Sequence, residues 1–148
     1  MKLSGKYVCL FVFLLFAWFS HAQTNKTLDS LNLVLKNAKH DTTRVEVLIE
    51  ISEFFYNSYP DTVISICNKA ITMINNNISN ANNLELKSYL NSKAAALNNC
   101  GLTYHLQGNS SKALNFCFKS LKIQEEIHGE KEIAYILRRV LKIAFFII

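Results

Sequence analysis

Histidines, cysteines and carboxylates are the residues of this chain that could do chemistry. The four histidines, His21, His40, His105 and His128, are the candidate general bases. Cys67, Cys100 and Cys117 are the candidate nucleophiles or metal ligands. Catalysis needs such a group held against an orienting partner. His21 falls in an N-terminal leader, and His40 and His128 fall at the ends of helical patterns. Only His105 sits on a helix body. No glycine-rich phosphate loop, His-Glu-x-x-His pair or nucleophile elbow is present. Cys67, Cys100, His105 and Cys117 lack metal-ligand spacing, and no C-x-x-C pair occurs. The expectation is a protein that is not an enzyme, with no catalytic, cofactor-binding or metal-binding residues. What remains for these side chains is recognition, so the elements that present them decide the function.

The first element is a leader. Lys2 and Lys6 precede an unbroken apolar run from Val8 to Phe19, and Ser20-His21-Ala22 supplies the small residues of a cleavage site. Residues 1–22 therefore read as a secretory signal peptide. Its apolar run is shorter than the roughly 20 residues that cross a bilayer. Cys9 lies inside that run, not at its end, and so does not fit a lipid-modified cysteine. Cleavage leaves residues 23–148 as one small domain and an exported, periplasmic location. It removes two lysines and no acid, taking the net charge from +5 to +3. That is too mild to expect nucleic acid as a partner.

Beyond the leader, Pro60 is the only proline, and Val, Ile and Leu recur at helical spacing with no sustained period of two. The prediction is an all-α fold of about six helices. The first runs from about Lys26 to Lys39 on a stripe of Leu28, Leu31, Leu35 and Ala38. The second carries Val45, Leu48, Ile51, Ser52 and Phe55, with Asp41 or Thr43 as its cap and Thr43 with Glu46 as a capping box. Tyr59-Pro60 ends it. Asp61 caps the third, which bears Ile64, Cys67, Ile71 and Ile74. The asparagine-rich stretch Asn75 to Asn83 reads as a polar connection. The fourth helix runs from about Leu84 to Gln107 and is broken by Gly108-Asn109. Asn109 or Ser110 caps the fifth, which ends at His128-Gly129. A sixth begins near Lys131.

Two segments repeat. Leu48-x-x-Ile51-Ser52-x-x-Phe55 has the spacing of Leu97-x-x-Cys100-Gly101-x-x-Tyr104. Val63-x-x-x-Cys67-x-x-Ala70 has the spacing of Ala113-x-x-x-Cys117-x-x-Ser120. The chain thus carries two-helix units over about 45–78 and 94–127, with an incomplete third over 131–148. Small residues at Ser52, Gly101, Ala70, Ala113 and Ser120 let paired helices approach, and Phe55 and Tyr104 fill the wedge beyond each crossing. Cys100 and Cys117 fall on facing helices of one unit, where a disulfide or two buried thiols are the alternatives.

This pattern resembles the tetratricopeptide repeat. Leu97, Gly101, Tyr104 and Ala113 match its signature. Cys100 stands in place of the leucine, Cys117 in place of the aromatic, and Glu125 in the proline slot. The resemblance implies an α-solenoid of antiparallel helix pairs that binds a protein or peptide partner. It also implies that the first helix of each unit lines a concave groove. Glu46, Ile49, Glu50, Glu53 and Tyr56 would enter it from one copy, and Ala95, Asn98, Asn99, Leu102 and His105 from the next. Asn98 and Asn99, whose amides can donate to and accept from a peptide backbone, are the leading contacts. The basic set that grips a peptide carboxylate in some family members is missing, and Glu50 and Glu53 would repel one.

The wording from the leader through Asp-Thr-Thr-Arg-Val to Gln-Gly-Asn and Lys-Ala-Leu is similar to the exported N-terminal repeat region of Bacteroidetes-type sensor and regulator proteins. In those, a membrane helix and a histidine kinase or DNA-binding regulator domain follow. The alternative reading is therefore a sensor input fragment of such a protein. Beyond about Leu137 the repeat pattern fails, and from Ile143 every residue is apolar. A capping helix and a truncated longer parent are both open. Arg138, Arg139 and Lys142 beside apolar residues would allow membrane contact through this last helix alone.

Overall fold

A computed structural model of the protein describes residues 26–127 together with Leu137, Arg138 and Leu141. The described residues are all-helical and contain no strand. Helix α1 covers residues 26–37, followed by α2 (Asp41–Glu53), α3 (Pro60–Asn77), a short 3-10 turn (Ile78–Asn80), α4 (Asn83–Leu106) and α5 (Ser110–Ile127). The expected leader over 1–22 and the stop at Gly129 lie outside the described residues. So does the sixth helix, apart from Leu137, Arg138 and Leu141, which are helical and exposed.

The helix starts differ from the sequence expectation in ways that local chemistry explains. Helix α2 begins two residues before Thr43, with His40 at the N-cap and no side-chain cap. The Thr43–Glu46 capping box does not form; both residues are inside the helix. Arg44 instead ties the start down. Its guanidinium donates to the Asp41 carboxylate at 2.9 Å and to the Ala38 carbonyl at 3.1 Å, closing the α1–α2 turn. Asp61 is not the cap of α3. Tyr59 holds that position and Pro60 opens the helix, where its missing N–H is no loss and its fixed φ is already helical. The asparagine-rich connection is shorter than expected because Asn75, Asn76 and Asn77 stay in α3, and Asn77 donates back to the Met73 carbonyl at 2.8 Å.

Helix α4 has the best-defined ends. Asn82 accepts from the Leu84 and Glu85 amides, each at 3.0 Å, and Glu85 reaches back to the Asn82 amide at 3.0 Å. This is a complete capping box. At the other end Gly108 takes φ 76°, and the amides of Gly108 and Asn109 donate to the carbonyls of His105 and Tyr104 at 2.9 and 2.8 Å. Those two bonds make a Schellman stop, which needs a residue without a Cβ penalty at the left-handed position. The Asn109 side chain then accepts from Lys112 N at 3.1 Å and caps α5.

Helix α2 packs on α3, α4 packs most extensively on α5, and α4 also lies against both α2 and α3. The main core is Val45, Leu48, Ile49, Val63, Cys67, Ala70, Ile74, Tyr89, Ala96 and Cys100, drawn from α2, α3 and α4. A smaller cluster of Ala113, Cys117 and Leu121 forms where α5 meets α4, with Tyr104 and Leu114 against it. Complete burial of a side chain the size of Val63 or Ile74 contributes about 1.5–3 kcal/mol. Because α4 is covered on two sides, its small residues are spread around it. Ala94 faces α5, where its carbonyl accepts from Ser120 Oγ at 2.7 Å, and Ala96 enters the main core.

Candidate binding groove

An open groove of about 620 Å³ lies between α2 and α4. Helix α2 supplies Glu46, Ile49 and Glu50. Helix α4 supplies Leu84, Lys87, Ser88, Asn91, Ser92 and Ala95. These residues recur at three- and four-residue spacing, so each helix turns one stripe into the groove. Ile49 and Ala95 give it an apolar floor, and Leu84, 80% exposed, extends that apolar surface to the rim. The charges are segregated: Glu46 and Glu50 lie on the α2 wall and Lys87 on the α4 wall. Ser88 Oγ donates to Glu46 at 2.7 Å across the groove and ties the two walls together.

The expected groove residues divide into three groups. Glu46, Ile49, Glu50 and Ala95 do line it. Glu53, Tyr56, Asn98, Leu102 and His105 lie outside the lining. Glu53 is exposed at the last turn of α2. Tyr56 follows α2 and packs half-buried on the main core. Asn98, Leu102 and His105 are half-buried farther along α4. Asn98 Oδ1 is enclosed without a hydrogen-bond partner.

Asn99 needs correction as a ligand contact. It is 4% exposed, and its amide donates to Ser52 Oγ at 3.1 Å. Asn98 and Asn99 differ by about 100° around the helix. That rotation carries Asn99 under α2. Leu84, Lys87, Ser88, Asn91 and Ser92 are the lining residues that sequence reasoning missed. The α4 stripe that runs through Ala95 passes through them one to three turns earlier, and extending that stripe toward the N-terminus would have found them.

The residues of the repeat signature are mostly structural. Leu48, Ser52, Ala70, Leu97, Gly101, Ala113 and Ser120 are all buried. A Cβ on Gly101 would lie 2.7 Å from Cys117 Sγ and 3.2 Å from the Ala113 carbonyl, so the absence of a side chain here lets α4 and α5 approach closely. Tyr104 stacks on Phe116 with ring centroids 5.4 Å apart, under the Lys112 ammonium. Phe55 packs on the main core and meets Tyr59 edge to face at 6.1 Å. Ser52 also reaches α4: it accepts from Asn99 at 3.1 Å and donates to the Ile49 carbonyl at 2.7 Å.

A second, polar hollow of about 280 Å³ sits where the α1–α2 turn meets the start of α4, lined by Asp41, Asn77, Asn80, Glu85 and Tyr89 among others. Burial first, then the charges of Asp41 and Glu85, push the Tyr89 phenol above its ordinary range. No group of His, Cys, Asp and Glu among the described residues could hold a metal ion. No helix among them is long and apolar enough to cross a membrane. The chain matches no protein-family profile, and no curated protein or solved structure shows similarity to it.

Proposed function

We propose that this protein is a non-catalytic interaction module, an exported tetratricopeptide-like α-solenoid whose α2–α4 groove takes an extended peptide from a partner protein. The observation that carries the reading is the groove itself. It combines an apolar floor, opposed charged walls and unpaired width along two helices of matching residue spacing. The pairing of α2 with α3 and of α4 with α5 supports the repeat, as does the close approach at Gly101. Export rests on the N-terminal pattern of Lys2, Lys6, the apolar run and Ser20-His21-Ala22.

A groove with both signs of charge and an apolar floor favours a segment that presents apolar side chains flanked by a basic residue toward Glu46 and Glu50. The test is a displayed peptide library selected on the purified protein. Selected peptides are expected to lose at least tenfold in affinity on Glu50→Lys or Ala95→Arg, with helix content by circular dichroism unchanged. Peptides that bind both variants as well as the parent would remove the groove from the function.

A further inference from the structure

The polar hollow at the α1–α2 turn shares no lining residue with the groove. Tyr89 lines it from inside the protein. Its ring belongs to the main core, and the residue is only 5% exposed. Among the described residues its hydroxyl has no hydrogen-bond partner. A phenol packed so deeply ordinarily has one. Two carboxylates line the same hollow, and each has one oxygen committed. Asp41 Oδ1 accepts from Arg44 at 2.9 Å, and Glu85 Oε2 accepts from the Asn82 amide at 3.0 Å. Asp41 Oδ2 and Glu85 Oε1 are left over. Asn77 spends its Nδ2 on the Met73 carbonyl and keeps Oδ1 as an acceptor. On this side, then, the hollow is a set of acceptors around a phenol.

Its other side has the opposite character. Lys39 and His40 are exposed at the α1–α2 turn. His40 is the N-cap of α2 and makes no side-chain bond to the helix, so the first amides of α2 take no side-chain cap. A helix start and an ammonium group both favour an anion.

We propose that this hollow binds a free α-amino acid, holding its ammonium group among Asp41, Glu85, Asn77 and Tyr89 and its carboxylate against Lys39 and the start of α2. An ammonium group has three donors and no acceptor, which suits the leftover oxygens. The Tyr89 hydroxyl serves both ends, accepting from the ammonium and donating its proton to the carboxylate. Burial first, and then the charges of Asp41 and Glu85, raise that phenol, so both carboxylates act on the place given to the cation. Size limits the ligand as well. A volume of about 280 Å³ falls below the range of roughly 300–1,000 Å³ typical of pockets for drug-sized ligands, and suits a single amino acid.

The test is a nitrogen-15 NMR titration of the whole protein with L-alanine, L-serine and L-glutamine. Propylammonium and propionate serve as the two half ligands. At least one amino acid should shift the amides of Asp41, Thr42, Asn80 and Glu85 saturably, and each half ligand should bind roughly tenfold more weakly. Glu85→Gln should weaken binding by roughly tenfold, because it removes a charge from the ammonium site. Glutamine at this position still closes the capping box, so helix content should hold. Tyr89→Phe should also weaken binding while keeping the ring in the core. The absence of a saturable shift with all three amino acids would overturn the proposal. So would a half ligand that binds as well as the amino acid, shifts confined to the α2–α4 groove, or unchanged affinity in either variant.

Discussion

At the residue scale the protein depends on a few small or polar side chains in close quarters. Ser52 and Asn99 are the sharpest case, since each is buried and each satisfies the other. Ser52→Ala leaves the Asn99 amide without its acceptor and should cost about 1–3 kcal/mol in urea denaturation. Asn99→Ala should cost a similar amount, and the double variant clearly less than the two together. Strict additivity would mean that the bond contributes nothing. Gly101→Ala tests the helix crossing. Alanine gains about 1 kcal/mol of helix propensity there. Against this, a Cβ 2.7 Å from Cys117 Sγ forces repacking worth about 1–3 kcal/mol. The net effect should be destabilising and should shrink in a Cys117→Ala background. A stabilised Gly101→Ala protein would show that the helices can move apart freely. These residues were partly legible in the sequence. The small types at Ser52 and Gly101 mark positions where a large side chain is excluded. Nothing in the spacing shows that Ser52 serves α4 through Asn99, because that contact joins residues far apart in the chain.

At the element scale, type and order could be read, while boundaries followed competing local chemistry. The apolar periodicity placed α1 to α5, and Pro60 and Gly108 punctuated them as expected. The starts of α2 and α3 were misplaced because Arg44 and Pro60 supply what a capping side chain would otherwise provide. Asn75 to Asn77 were read as a turn, yet packing of Ile74 and Ile78 against the core holds them helical. The capping box at Asn82 lay inside the same asparagine-rich stretch and was hidden by it. Asn82→Ala should therefore loosen one end of α4 without unfolding the protein. The expected cost is about 0.5–2 kcal/mol. Hydrogen exchange should quicken at the Leu84 and Glu85 amides, which lose their acceptor, and stay slow at Cys100 and Thr103. The groove should feel this change because Leu84, Lys87 and Ser88 sit on the first turns after the cap.

For the whole molecule, the junction of α2, α3 and α4 sets how stability responds to pH. Tyr89 is 5% exposed at that junction, and its phenol is raised by burial and by Asp41 and Glu85. A raised phenol stays neutral in the folded protein after it has begun to ionise in the unfolded chain. Below the unfolded value of 10.0 both states hold the proton and its contribution is complete. Above that value unfolding releases a proton, so stability falls as pH rises until the folded phenol also ionises. The buried thiols Cys67 and Cys100 add contributions of opposite sign, Cys100 raised and Cys67 lowered, each chiefly by the other, and these are common to the parent and to any variant that keeps both. Tyr89→Phe isolates the phenol: it keeps the ring that fills the core and removes the proton. Thermal unfolding of parent and variant should run parallel below about pH 9, and above about pH 10 the parent should lose stability relative to the variant as it alone loses this contribution. A gap that is constant across the range would mean that Tyr89 ionises as freely in the fold as in the open chain. The three helices would then not seal it.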